Sequence, residues 1–137
     1  MHLIQVPLEA FDQIWPQAEK HVARACELSR GMLTPESVVV LVKERDRQFW
    51  IIVNDEQPRA VTAAILTSIQ IAPTGKKLLQ IEMCAGDNVK EWFDLKDDLE
   101  KWAKENGCSG VLVWARKGWA KYLHEYAITQ YLMLKEI

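Results

Sequence analysis

The residues that could do chemistry in this sequence gather around one junction. Cys84-Ala85-Gly86-Asp87-Asn88 links an apolar strand, Leu78 to Met83, to a long amphipathic helix. A glycine there lets the backbone approach an anion closely, and the helix N-terminus beyond it favours negative charge. This junction has a single glycine, and it places carboxylates at Asp87 and Glu91. Acids at a helix start contribute about 0.3–1 kcal/mol each and would repel a second anion. The junction therefore reads either as a phosphate-holding turn or as a capped structural turn.

Glu82 lies two positions before the junction, between Ile81 and Met83. Strand alternation turns it away from both neighbours, into a cleft or toward solvent. A desolvated carboxylate at such a place suits general-base work; the plainer reading is a polar face residue. Cys84 could act as a nucleophile, but no histidine lies near it in sequence, and a small packed thiol fits better. The same holds for Cys26 and Cys108. His2, His21 and His124 lack metal-ligand spacing, so no metal is expected. Arg116-Lys117-Gly118-Trp119 combines two interaction-prone residue types, Arg116 and Trp119, at the start of the last helix. Its alternative is Trp119 packed on the sheet.

These residues need a frame. Met1 to Val6 alternates as a short strand that stops at Pro7. Phe11, Ile14, Trp15, Ala18, Val22 and Ala25 form one helical face to about Ser29, with release at Gly31 and a start or bend near Pro16. Thr34-Pro35-Glu36 opens a second, short helix. Gln48 to Val53, Ala60 to Ile71 and Lys77 to Cys84 are strands joined by short turns, which predicts an antiparallel meander. Asn88 with Glu91 resembles a capping box ahead of Trp92, Leu95, Leu99 and Trp102, and Asn106-Gly107 ends that helix. A buried strand from Gly110 to Ala115, a short helix to about Tyr126 and a final strand Tyr131 to Leu134 complete the chain.

The order is β-α-α-β-β-β-α-β-α-β, an α/β (α+β) arrangement with one mixed sheet, helices on both faces and a parallel crossover after the meander. The 137 residues suit one domain. A net charge of -2 with interspersed signs gives no argument for nucleic acid. No apolar run approaches the ~20 residues needed to span a bilayer, so no membrane is expected. The N-terminus has no signal-peptide pattern, and three cysteines without metal spacing fit a reducing compartment such as the cytoplasm.

This order resembles the GNAT fold of acetyl-CoA-dependent N-acetyltransferases. The local residues are similar to small GNAT-like proteins of phage and prophage genomes: Trp15-Pro16, Gly31-x-x-Thr34-Pro35-Glu36, Gly86 with Trp92, Trp102-Ala103 before Gly107-Cys108, Arg116-x-Gly118-Trp119, Leu123 and Leu134-Lys135-Glu136. The resemblance implies a coenzyme A pyrophosphate at the backbone of residues 84–88, a general base on the strand of Glu82, and a general-acid tyrosine in the last helix. The family's loop has a leading Arg or Gln and a second glycine, which this loop lacks. Laying the tyrosine motif on the chain puts Leu123 at the acid's place, with Tyr122 and Tyr126 facing other directions.

The first expectation is a catalytically degenerate phage-type protein of the host cytoplasm or the virion. It would work in interaction or assembly with protein partners or by self-association, and no cofactor is expected for it. The alternative is an acetyl-CoA-dependent N-acetyltransferase acting on an unknown amine, with Glu82 as base.

Overall fold

The computed structural model describes residues 1–137. Five strands form one sheet in chain order: β1 His2–Gln5, β2 Gln48–Val53, β3 Val61–Ile71, β4 Lys77–Gly86 and β5 Gly110–Val113. β1 to β4 pair antiparallel, as the short turns predict, and β5 lies parallel to β4. Residues near the β2–β3 and β3–β4 centres alternate between two buried faces, so the strands read as nearly continuous apolar runs.

α1 Phe11–Glu27 and α2 Pro35–Lys43 cover one face. α1 starts upstream of Pro16 and runs through it, giving up the one N–H that proline lacks. Thr34 caps α2: its hydroxyl accepts from the Ser37 N–H at 3.1 Å, and the Ser37 hydroxyl accepts from the Thr34 N–H at 2.9 Å. Ala18 and Val22 of α1 and Val38 of α2 pack with Phe49 and Leu66 of the sheet, all essentially inaccessible to solvent.

The other face is covered by α3 Val89–Trp92 and α4 Lys96–Glu105. The expected single long helix is broken here by a 3₁₀ turn, Phe93–Leu95. Its expected capping box is absent, because Asn88 sits in the left-handed region at φ 54° and its side chain caps nothing. Gly107, at φ +83°, ends α4 as expected.

The C-terminal part departs further from expectation. β5 is half-buried, not buried, since only β4 flanks it. The last helix shrinks to a 3₁₀ turn, Lys117–Lys121, and residues 131–134 form no strand. No helix is long and apolar enough to cross a membrane.

Candidate functional site

β4 pairs with β5 only as far as Ile81 with Val113, and a last hydrogen bond runs from the Trp114 N–H to the Ile81 carbonyl at 3.1 Å. Beyond that point β4 continues through residues 82–86 still paired with β3, while the chain after β5 turns away. β5 ends there, and a cleft of about 330 Å³ lies at the end of β4. That size falls within the range of small-molecule sites.

Three elements and Val89, the first residue of α3, wall this cleft. Ala85 and Gly86 come from β4, Arg24 and Leu28 from the end of α1, and Arg116, Gly118, Trp119, Lys121 and Tyr122 from the segment after β5. Arg116 and Trp119, expected from their types alone to serve recognition, thus line the cleft together. Trp119 also packs among Trp92, Phe93 and Tyr122, with ring centroids 6.0–6.3 Å from its own. Both readings of Trp119 meet in one side chain.

The junction differs from a phosphate loop. Cys84, Ala85 and Gly86 are strand residues paired with Ile65, Ala64 and Ala63, and only Asp87 and Asn88 turn. A Cβ on Gly86 would lie 2.3 Å from the Ala63 Cβ and 2.6 Å from the Thr62 carbonyl oxygen. Glycine is thus required by the close approach of β3, independently of any ligand. The Asp87 N–H donates to the Thr62 carbonyl at 2.9 Å, and the Trp92 indole N–H donates to the Asp87 carbonyl at 2.6 Å. The expected capture of a pyrophosphate by backbone N–H groups of residues 84–88 fails at Asp87, whose N–H is already bonded.

Asp87 does not stand in the cleft as a bare negative charge. Arg24 donates to its carboxylate at 3.1 Å, which holds Asp87 below the usual carboxylate range. Arg24 is itself oriented by His21, a buried side chain on α1. His21 Nε2 donates to the Val61 carbonyl at 3.1 Å, which leaves Nδ1 as the acceptor facing Arg24 at 3.4 Å. Arg116 and Lys121 take part in no ion pair. The cleft wall is therefore cationic, a feature hidden in a sequence whose charges balance overall. The only early signal was Arg116; Lys121 follows it in the same segment, and Arg24 reaches the site from α1.

Burial pushes the Cys84 thiol up to about 12, although Arg116 nearby pulls it the other way. A thiol protonated at neutral pH is no nucleophile, in line with the packed reading. Tyr126 donates from its hydroxyl to Glu100 at 2.8 Å, away from the cleft; burial first, and this bond second, raise its pKa. Tyr122, expected to face elsewhere, lines the cleft.

Glu82 is aimed by a β-bulge. Leu66 pairs with Met83 and Thr67 with Ile81, which leaves Glu82 as the extra residue. The alternation reverses there, so Ile81 packs on the α4 face while Met83 packs under α1 and α2. The expectation that Glu82 turns away from both neighbours assumed an unbroken strand. Its side chain, 10% exposed, accepts from Arg47 Nε at 2.7 Å, Ser68 Oγ at 3.0 Å and Gln80 Nε2 at 3.1 Å. Neither Glu82 nor Cys84, Asp87 or Asn88 is among the residues lining the cleft. No group of three or more His, Cys, Asp or Glu side chains is placed to hold a metal ion.

No protein-family profile matches the sequence, and no curated protein matches it. Solved structures do. A ribosomal-protein-alanine N-acetyltransferase from Brucella melitensis biovar Abortus superposes with a TM-score of 0.68 at 14% identity, over 100% of each chain. A putative acetyl transferase from Pyrococcus furiosus gives 0.67 at 15% identity over 99% of each chain. An aminoglycoside acetyltransferase from an uncultured soil metagenomic sample, solved with sisomicin, gives 0.61 at 15% identity over 98% of this chain and 96% of that one. The chain has the mixed α/β fold of the GNAT acetyltransferases.

Proposed function

We propose that this protein is an acyl-CoA-dependent N-acyltransferase, acetyl-CoA being the donor the fold suggests. The observation that carries the reading is the cleft at the end of β4, beyond the end of β5, walled by Arg24, Arg116 and Lys121. Coenzyme A is a polyanion, and three cations with one carboxylate already neutralised suit its phosphates. The donor set fits the cosubstrate. Its thioester supplies an activated acyl group when bound.

The chain's own residues supply the rest. Arg116 and Lys121 bind charge, while Arg24 can exchange Asp87 for a ligand phosphate. Trp119 and Tyr122 wall off water on the α4 side. Tyr122 lines the cleft one position before Leu123, where the resemblance places the general acid. Glu82 accepts from two donors at Oε1 and one at Oε2, which leaves one acceptor position at Oε2 for a proton from an amine. To act as the base it needs an amine that reaches past the residues lining the cleft.

The reading as a degenerate phage-type assembly protein rested on the absent second glycine and leading Arg or Gln, on the acids Asp87 and Glu91, and on Leu123. Of these, the grounds in Asp87 and Leu123 are the ones the structure bears on. The Arg24–Asp87 pair and the placement of Tyr122 weaken both grounds, and nothing in the cleft favours assembly over transfer. Calorimetry with acetyl-CoA tests the proposal. Micromolar binding is expected, weakened about tenfold or more in Arg116→Gln, together with acyl transfer to a panel of primary amines. No heat and no thermal shift at millimolar acetyl-CoA would overturn it.

A further inference from the structure

A second cavity, of about 430 Å³, lies where β1 stops and β2 begins, beside the last turn of α2. It is at the far end of the sheet from the cleft: Gly86 lies across from Ala63 and Ile52, whereas this cavity takes Gln48 and Phe49 at the other end of β2. Val6, Leu8, Val42 and Phe49 give it apolar walls, and Arg45 and Arg47 give it charge. No carboxylate lines it, although Glu44 and Asp46 flank Arg45 in sequence.

The two arginines differ in what holds them. Arg47 Nε donates to Glu82 at 2.7 Å, and Nη1 donates to the Asp46 carbonyl at 3.2 Å. A guanidinium carries five N–H donors, so most of this one is left for another acceptor. Arg45 takes part in no ion pair. It stands two residues beyond the end of α2 at φ 64°, a left-handed position that glycine usually takes. A cation there suits the carbonyl end of the helix, but Lys43 already stands in that last turn. Glu82 balances only one of the two arginine charges.

We propose that this cavity binds a small organic acid, with its carboxylate between Arg45 and Arg47 and its apolar body against Val42 and Phe49. Guanidinium forks match a carboxylate in geometry and charge, and apolar walls with a few polar groups are what a small-molecule site needs. Arg47 would then join the ligand to Glu82 and so to β4. The binding is independent of acyl transfer.

Nitrogen-15 spectra of the arginine side chains, titrated with hexanoate, test this. The Arg47 Nε–H signal should shift saturably with millimolar affinity. Hexanamide lacks the charge and acetate lacks the apolar body, so each should bind about tenfold more weakly or worse. Arg45→Gln changes an exposed side chain, so circular dichroism should be unchanged while hexanoate binds at least about fivefold more weakly. Arg116→Gln, in the cleft, should leave the shift intact. The proposal is overturned if no saturable shift appears up to about 50 mM hexanoate. It is equally overturned by a shift that survives Arg45→Gln undiminished, or by one that disappears in Arg116→Gln.

Discussion

Phe11, Trp15 and Phe49 meet under α1 with ring centroids 5.2–6.0 Å apart. Trp92, Phe93, Trp119 and Tyr122 meet on the opposite face at nearly the same spacing, 5.2–6.3 Å. The first group includes two side chains only 1% exposed, Phe11 and Phe49, whereas in the second only Trp92 is buried. The rings are alike, but the elements behind them differ. α1 is a 17-residue helix lying across β3 and β4, while the second group hangs on a four-residue helix and two 3₁₀ turns. One cluster is core, and the other is the wall of a cleft. Aromatic content alone does not separate the two; the length of the supporting element does.

The comparison breaks most readily by truncation. Phe49→Ala should cost about 3–5 kcal/mol, whereas Trp119→Ala, at a half-exposed site, should cost about 1–2 kcal/mol and chiefly weaken ligand binding. Urea unfolding of both variants measures this, and equal losses would mean that the second cluster is core as well. A smaller effect sharpens the boundary between them. Gly86→Ala forces a Cβ against Ala63 and Thr62, so the end of β4 must shift. A loss of about 1–3 kcal/mol is expected, together with weaker acetyl-CoA binding. Unchanged stability with lost binding would instead assign Gly86 to the ligand.

The smallest effect concerns the clasp between α1 and the β4–α3 turn. Arg24 lowers the Asp87 pKa, so this pair's contribution is complete above the unfolded value, about 3.9, and is lost as pH falls through the lower folded value. Asp87 is about half exposed, so solvent and salt screen the gain. The stability difference between wild type and Asp87→Asn should shrink as pH falls below about 4. A difference that stays constant across that window would remove the clasp from the account.

Much of the frame was legible in the residues. Thr34-Pro35-Glu36, the Gln48–Val53 strand, the meander turns and Gly107 act through local chemistry that operates wherever those residues stand. The parts missed were those set by contacts distant in sequence. The bulge at Glu82 depends on how β4 registers against Leu66 and Thr67, and a one-residue extension reverses every later side chain. The break at residues 93–95 and the uncapped Asn88 reflect Trp92, whose indole is drawn to the Asp87 carbonyl, a contact invisible to helical periodicity.

The sequence by itself determined an antiparallel meander, a parallel crossover and helices on both faces, because hydrophobic period and turn chemistry are properties of neighbouring residues. Tertiary structure alone decided the charge of the cleft. Arg24, Asp87 and the Arg116–Lys121 segment come from three separate parts of the chain, and Coulomb interactions depend on distance in space. It also decided that Gly86 serves β3, since only the folded sheet brings Ala63 against it.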